Sequence, residues 1–362
     1  MFNTKDTHYE RMMKTELGPF FASCIDGMYR GDVQGRFALF QLCDKMNDGM
    51  ASHMVDLIRF LGAFESNGSQ TFEVRENVAK GLVATTVDVF DGANRAPFSC
   101  YYIDLRRASM GWQIDGGQTG KHPVEGLYVC DLEELSEEHR RVFNTSDDAM
   151  VCFVIGSPVV GRFHGDDLTA SEREIADSTD DATFRFAFPK GVKFRDFLAE
   201  KMASVARGDA RMYKTDEEIE PPDTQTIVEI ATLVVNLQMY LCATNAEIVK
   251  VSDGADKARL EKLMDDLKNT RPDHPRHAKI AAKLQKQRSL INVTQVAPKL
   301  EAFIAESGEE TGITHRRHLV RGHFQRYHVG KGRRGVEWRW KSPFWKGDET
   351  KLSMLRAKYD VK

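Results

Sequence analysis

The chain has 362 residues, 41% of them hydrophobic and 29% charged, with a formal net charge of −3 and six cysteines. That length suits one large domain or two ordinary ones, and the composition is that of a folded chain rather than a disordered one. No run of about 18 apolar residues exists to span a membrane, and the charged start, MFNTKDTHYERMMKTE, lacks the apolar core of a signal peptide, so a cytoplasmic protein is expected.

The small net charge hides an asymmetry. From Thr270 to Lys362 there are 21 Lys and Arg against 9 Asp and Glu, a balance of +12; the preceding residues carry −15. Such a split points to separate basic and acidic surfaces. The cysteines (Cys24, Cys43, Cys100, Cys130, Cys152, Cys242) form no CxxC pair and sit mostly in apolar runs such as VCFVI. They read as buried reduced thiols, and neither a cysteine zinc site nor a cofactor is expected.

Residues 1–34 are mixed in character. Phe37, Phe40, Met46, Met54, Leu57, Ile58 and Leu61 recur at helical spacing, with Asn47-Asp48-Gly49 splitting them into two helices. ESNGSQ reads as a loop. A strand-rich middle follows at 97–106, 111–115, 124–133, 149–158 and 183–190, rich in Val, Ile, Phe and Tyr between Gly, Pro and Asp. In TFRFAFPK, Phe184, Phe186 and Phe188 alternate with Arg185 and Ala187, which predicts one buried face. Short connections favour antiparallel meanders over βαβ units.

Helices are predicted next over 194–207, 221–245, 255–269 and 274–289. The second is apolar nearly all round, interrupted by Glu229, Asn236 and Gln238, and reads as a central core helix rather than a membrane span. Residues 290–314 read as a linker with one helical turn. The expected architecture is α+β, a mostly antiparallel sheet packed with helices plus a C-terminal β-hairpin. Three segments are expected: a helical 1–70, an α+β core at 71–290 and a basic C-terminal region at 291–362.

The segment from His318 to Gly347 holds eight Lys and Arg, three of the four tryptophans, three histidines and one acidic residue, Glu337. Val320–His328 and Val336–Lys341 read as two strands joined by VGKGRRG, whose glycines supply positive φ angles. Alternation places Val320, Phe324, Val336, Trp338 and Trp340 on a greasy face. Arg321, His323, Gln325, Glu337, Arg339 and Lys341 fall on the other. Arg321, His323, Arg339 and Lys341 of that face, together with Arg326, Arg333 and Arg334, make a basic surface for RNA, a ribosome or another partner, or simply a solvated face. His315, His318, His323 and His328 match no common zinc spacing, so metal binding is not expected.

Catalytic motifs fail. DGGQTGKH (115–122) lacks the first Gly and final Ser or Thr of a phosphate-binding loop and reads as a turn between strands. VIGSPVVG has no nucleophile elbow. No enzyme activity is expected.

The tail residues His318, Arg321-Gly322-His323, Phe324, Tyr327, Gly330, Gly332 and Arg339-Trp340 resemble the C-terminal signature of a type V-A anti-CRISPR family. Phe324 stands where the relative carries Trp, and the resemblance does not extend to the first 70 residues. The family implies an inhibitor that recognises an N-terminal segment of the type V-A effector nuclease as it is translated. Loss of that nuclease's messenger RNA follows. An acidic, strand-rich part would then take the nascent peptide while the basic tail faces RNA or the ribosome. The rival readings are an RNA-binding protein or ribonuclease using Arg321, His323, Arg333, Arg334 and Arg339, and a plain interaction module in which the tail only closes the fold.

Overall fold

The computed structural model describes residues 6–15, 17–44, 48–85, 98–115, 120–137, 140, 143, 149–157, 183–189, 224–254, 256–298, 318–320, 322–341 and 344–346. The expected helix at 194–207 lies outside them.

Four helices come first: α1 (His8–Lys14), α2 (Gly18–Tyr29), α3 (Val33–Asp44) and α4 (Asp48–Ser66). Thr7 starts α1 with a capping box, in which its hydroxyl accepts from the Glu10 backbone and Glu10 reaches back to the Thr7 N–H. The sheet strands are β1 (Gln70–Glu73), β2 (Cys100–Asp104), β3 (Gln113–Asp115), β4 (Lys121–Asp131), β5 (Ala149–Gly156), β6 (Thr183–Pro189), β7 (Ile248–Ser252) and β8 (Asn292–Val296). Helix α5 (Glu76–Val83) lies between β1 and β2, α6 (Thr224–Leu241) precedes β7, and α7 (Lys257–Lys268) and α8 (Pro275–Arg288) precede β8.

The strand order is β6-β5-β4-β2-β1-β8-β7, with β3 on β4. The run β2-β4-β5-β6 is the expected antiparallel meander. The sheet as a whole is mostly antiparallel, as expected, and β7–β8 is antiparallel too; strand β1 is the exception to the preference for meanders over βαβ units. β1 pairs in parallel with both β2 and β8, and β1-α5-β2 is a βαβ unit. The stretch read as a linker supplies β8. These strands are short and polar in sequence (QTFE, NVTQV), so neither alternation nor an apolar run marks them.

Helices cover both faces. On one, α5 and α6 pack against Phe72, Tyr101, Ile103, Leu127, Val129, Met150 and Val154. On the other, α1, α2 and α4 pack against Tyr102, Tyr128, Val151, Phe153 and Ile155. Burial on both faces explains why β2, β4 and β5 read as continuous apolar runs. Phe60 of α4 stacks on Phe153 with centroids 4.8 Å apart, and each such ring contributes about 1.5–3 kcal/mol by leaving water. Strand β6 shows the predicted division: Phe184 and Phe186 are buried, while Arg185 crosses to Asp56 at 2.9 and 3.1 Å.

Each polar interruption of α6 has a partner. Glu229 accepts from the Trp112 indole at 2.7 Å. Asn236 donates to the carbonyls of Leu82 and Thr85 at the end of α5, and Gln238 reaches the Met150 sulfur. One apolar pattern is not a core stripe: Phe37 and Phe40 on α3 are 60% and 68% exposed.

Candidate functional site

A cleft of about 390 Å³ opens beside the start of β4, lined by Arg11, Arg106, Met110, Trp112, Glu125 and Ser157 among others. Glu125 reaches it through a β-bulge between Val124 and Gly126, which re-aims a strand side chain. The next position must be Gly, because a Cβ on Gly126 would stand 2.2 Å from the Tyr102 hydroxyl and 2.4 Å from the Ile103 carbonyl. Arg11 from α1 meets Glu125 in a two-pronged pair, Nη1 to Oε2 at 2.7 Å and Nη2 to Oε1 at 2.8 Å, with both side chains under 5% exposed. Arg106 forms a second fork on Asp104 at 2.9 and 2.6 Å. Burial opposes the Arg106 charge, but the hydrogen bonds and charge of Asp104 outweigh it and raise the guanidinium above its usual pKa.

The loop between β2 and β3 forms the lip. Ser109 holds φ 40° and Gly111 φ 72° there. A left-handed Ser costs about 1–2 kcal/mol, and the surrounding bonds Ala108 N–H to Leu105 O and Val124 N–H to Trp112 O hold the loop in place. The wall is Trp112, tied to Glu229 of α6. The result is a mostly apolar slot whose two guanidinium groups are each neutralised by a carboxylate, suited to an apolar or aromatic side chain next to a polar backbone.

The C-terminal region forms β9 (His318–Val320), β10 (His323–Val329), β11 (Gly335–Lys341) and β12 (Phe344–Lys346). The first predicted strand is therefore broken after Val320. β9–β12 and β10–β11 nevertheless share one register, since Val320 faces Phe344 and His323 faces Lys341, so the ribbon is a single hairpin with an interruption. Gly330 and Gly332 adopt φ 81° and 73° in the turn, as their conformational freedom allows.

Alternation sorts most of the faces as predicted. Phe324 faces Trp340, and Trp338 lies two residues along on the same side. Trp340 is 6% exposed within the core, Phe324 packs against that core, and Trp338 is half-buried. Arg326 departs from the basic face, because it stands across from Trp338, on the indole side, and is exposed there. On the opposite side Arg339 lies over the Tyr327 ring at 5.0 Å and bonds Glu337 at 3.2 Å, with Lys341 5.9 Å from the same ring. Arg339 is thus engaged within the hairpin, whereas His323, His328, Lys331 and Arg334 are exposed. Gly322 is buried; Arg321 lies outside the described residues, and the side chains of His318 and Arg333 are not described.

The hairpin docks on the end of α6. Thr244 N–H donates to Trp338 O, and Asn245 bonds both the carbonyl and the N–H of Trp340. Glu229, which holds the cleft residue Trp112, and Tyr240, which meets Trp340 of the hairpin, are 11 residues apart on α6, roughly 16 Å of helix. One rigid helix therefore spaces the two candidate surfaces.

The profile of the Anti-CRISPR type V subtype A2 (AcrVA2-like) family matches residues 72–347. The chain belongs to that family. A solved structure, described as the crystal structure of AcrVA2, matches with a TM-score of 0.50 at 13% identity, covering 94% of this chain and 99% of that one. No curated protein matches the chain. At that identity the structural likeness speaks for the fold alone. Family membership makes the chain an anti-CRISPR protein, and the profile spans both the cleft loop and the hairpin. Among the described residues no helix is long and apolar enough to cross a membrane, and no cluster of three metal-ligating side chains occurs.

Sequence reading did not find Arg11, Arg106, Trp112 and Glu125. The available signal was a charged residue inside an apolar strand, Glu125 in VEGLYVCDLE, yet its partner lies 114 residues away.

Proposed function

We propose that the chain is a non-enzymatic inhibitor acting in the cytoplasm of the bacterial host. It binds a segment of a type V-A CRISPR effector nuclease as that segment is translated, and the nuclease level falls through loss of its messenger RNA. In this reading the cleft between Arg11, Trp112 and Glu125 takes the segment. Arg334 in the hairpin turn, with His323 on the face opposite the indoles and Arg326 on the indole side, contacts the message or the ribosome. The observation that carries the reading is the family match over residues 72–347, which takes in the cleft loop and the hairpin together.

The test is co-expression with the nuclease, measuring its protein and transcript. Both are expected to fall, and to recover when Met110→Arg fills the cleft. Unchanged protein and transcript with the parent chain overturn the proposal. A second reading, RNA binding or cleavage independent of the nuclease, draws on the exposed Arg326 and Arg334. It requires purified protein to bind or cut unrelated RNA at low salt, with affinity falling steeply as salt rises.

A further inference from the structure

Strand β7 is an edge of the main sheet and pairs with β8 alone among the described residues. Its sequence, Ile248-Val249-Lys250-Val251-Ser252, carries a single charge. Ile248, Val249 and Val251 are 53%, 49% and 58% exposed, so apolar surface is bare on both faces, and Leu290, preceding β8, adds more. Natural edges of this kind are normally covered or blunted by charge.

The ladder shows which backbone groups point outward. Ala297 N–H donates to Glu247 O, which makes Glu247–Ala297 a hydrogen-bonded pair. Pairs alternate in an antiparallel ladder, so Val249–Gln295 is the next such pair. Ile248 and Lys250 then direct their N–H and C=O groups away from β8. Water can satisfy these groups singly, but another strand presents backbone groups at the spacing that satisfies the whole edge at once.

We infer that this edge pairs with β7 of a second copy of the chain, antiparallel across a two-fold axis. One register satisfies all the outward groups. Ile248 faces Lys250 of the second copy, Lys250 faces Ile248 of the second copy, and Val249 meets Val249 of the second copy on the axis. Four hydrogen bonds form, and the Lys250 stem covers an isoleucine. Sliding by one pair sets Lys250 against Lys250, which opposes like charges; sliding the other way leaves the Lys250 groups unfilled. The bulge between Lys250 and Ser252 ends the ladder. Because the same edge is used on both sides, the contact closes at two copies and joins two sheets into one.

The experiment is light scattering and sedimentation on the full-length chain over a wide concentration range. The expected mass is twice 41.0 kDa, with dissociation on dilution. Val249→Lys sets two charges across the axis and yields monomer. Ile248→Pro removes an outward N–H and the isoleucine side chain, leaves the backbone bonds to β8 in place, and shifts the equilibrium toward monomer with an unchanged circular dichroism spectrum. Val336→Lys, on the exposed hairpin, stays dimeric. A parent chain that is monomeric throughout, a dimer untouched by both β7 substitutions, or open-ended assembly overturns the inference.

Discussion

Trp340 meets Tyr240 edge to face, ring centroids 5.0 Å apart, and its indole Nε1 donates to Thr85 Oγ1 at 3.3 Å. A hairpin from the C-terminal region is thereby keyed into the core formed by α5 and α6. Trp340→Ala should cost about 3–5 kcal/mol in urea unfolding and expose the hairpin to protease. Trp338→Ala, at a half-buried site, should cost clearly less. Equal costs would contradict the asymmetry of the two faces.

The Arg11–Glu125 pair tests the cleft. Removing Arg11 alone leaves a buried carboxylate, so Arg11→Met should destabilise by about 3–5 kcal/mol. The double variant Arg11→Met, Glu125→Leu should regain much of that loss, because neither charge is then stranded. A double-mutant cycle with no coupling between the two positions would refute the pairing.

Acid should loosen the N-terminal helices. Glu65 of α4 accepts from Tyr9 at 3.0 Å and Arg30 at 2.8 Å and lies 3.6 Å from Arg288. Burial pushes its carboxyl up, but the charges of Arg288 and Arg30 win and hold it below the ordinary value of 4.5. A lowered pKa in the folded state contributes stability that is present above the unfolded pKa and lost as pH falls through the folded one. Stability should therefore drop below about pH 4.5, and Glu65→Gln should flatten that part of the profile.

The hairpin cations should not be equivalent. Arg326 and Arg334 are exposed, whereas Arg339 is held by Glu337 and Tyr327. If the hairpin binds RNA, Arg326→Ala or Arg334→Ala should lower the salt slope by about 0.7–0.9 for each phosphate that is no longer neutralised. Arg339→Ala should change the slope less and the hairpin's stability more. Salt titrations of binding on the three variants decide the order.

The meander was legible because β2, β4, β5 and β6 are buried on both faces or alternate cleanly, and either pattern leaves its mark in one dimension. β1, β7 and β8 were not, since QTFE, IVKVS and NVTQV are short and owe their place to partners far along the chain. Phe37 and Phe40 show the converse: helical spacing identified α3 but could not tell which stripe faces the core. On the hairpin, alternation located both indoles and the side opposite them. Alternation from Phe324 also puts Arg326 on the indole side, so counting Arg326 with the basic face runs against it; alternation did not tell that Arg339 turns to Glu337.

Local chemistry in the chain itself thus determined the strand-rich middle, the apolar helix α6 and a two-faced basic hairpin, because periodicity and turn residues act over a few positions. Only the tertiary structure decided the parallel pairing of β1 with β2 and β8, the Arg11–Glu125 cleft and the open edge at β7. Each depends on groups brought together across dozens to hundreds of residues, where burial and backbone pairing, not neighbouring sequence, set the outcome.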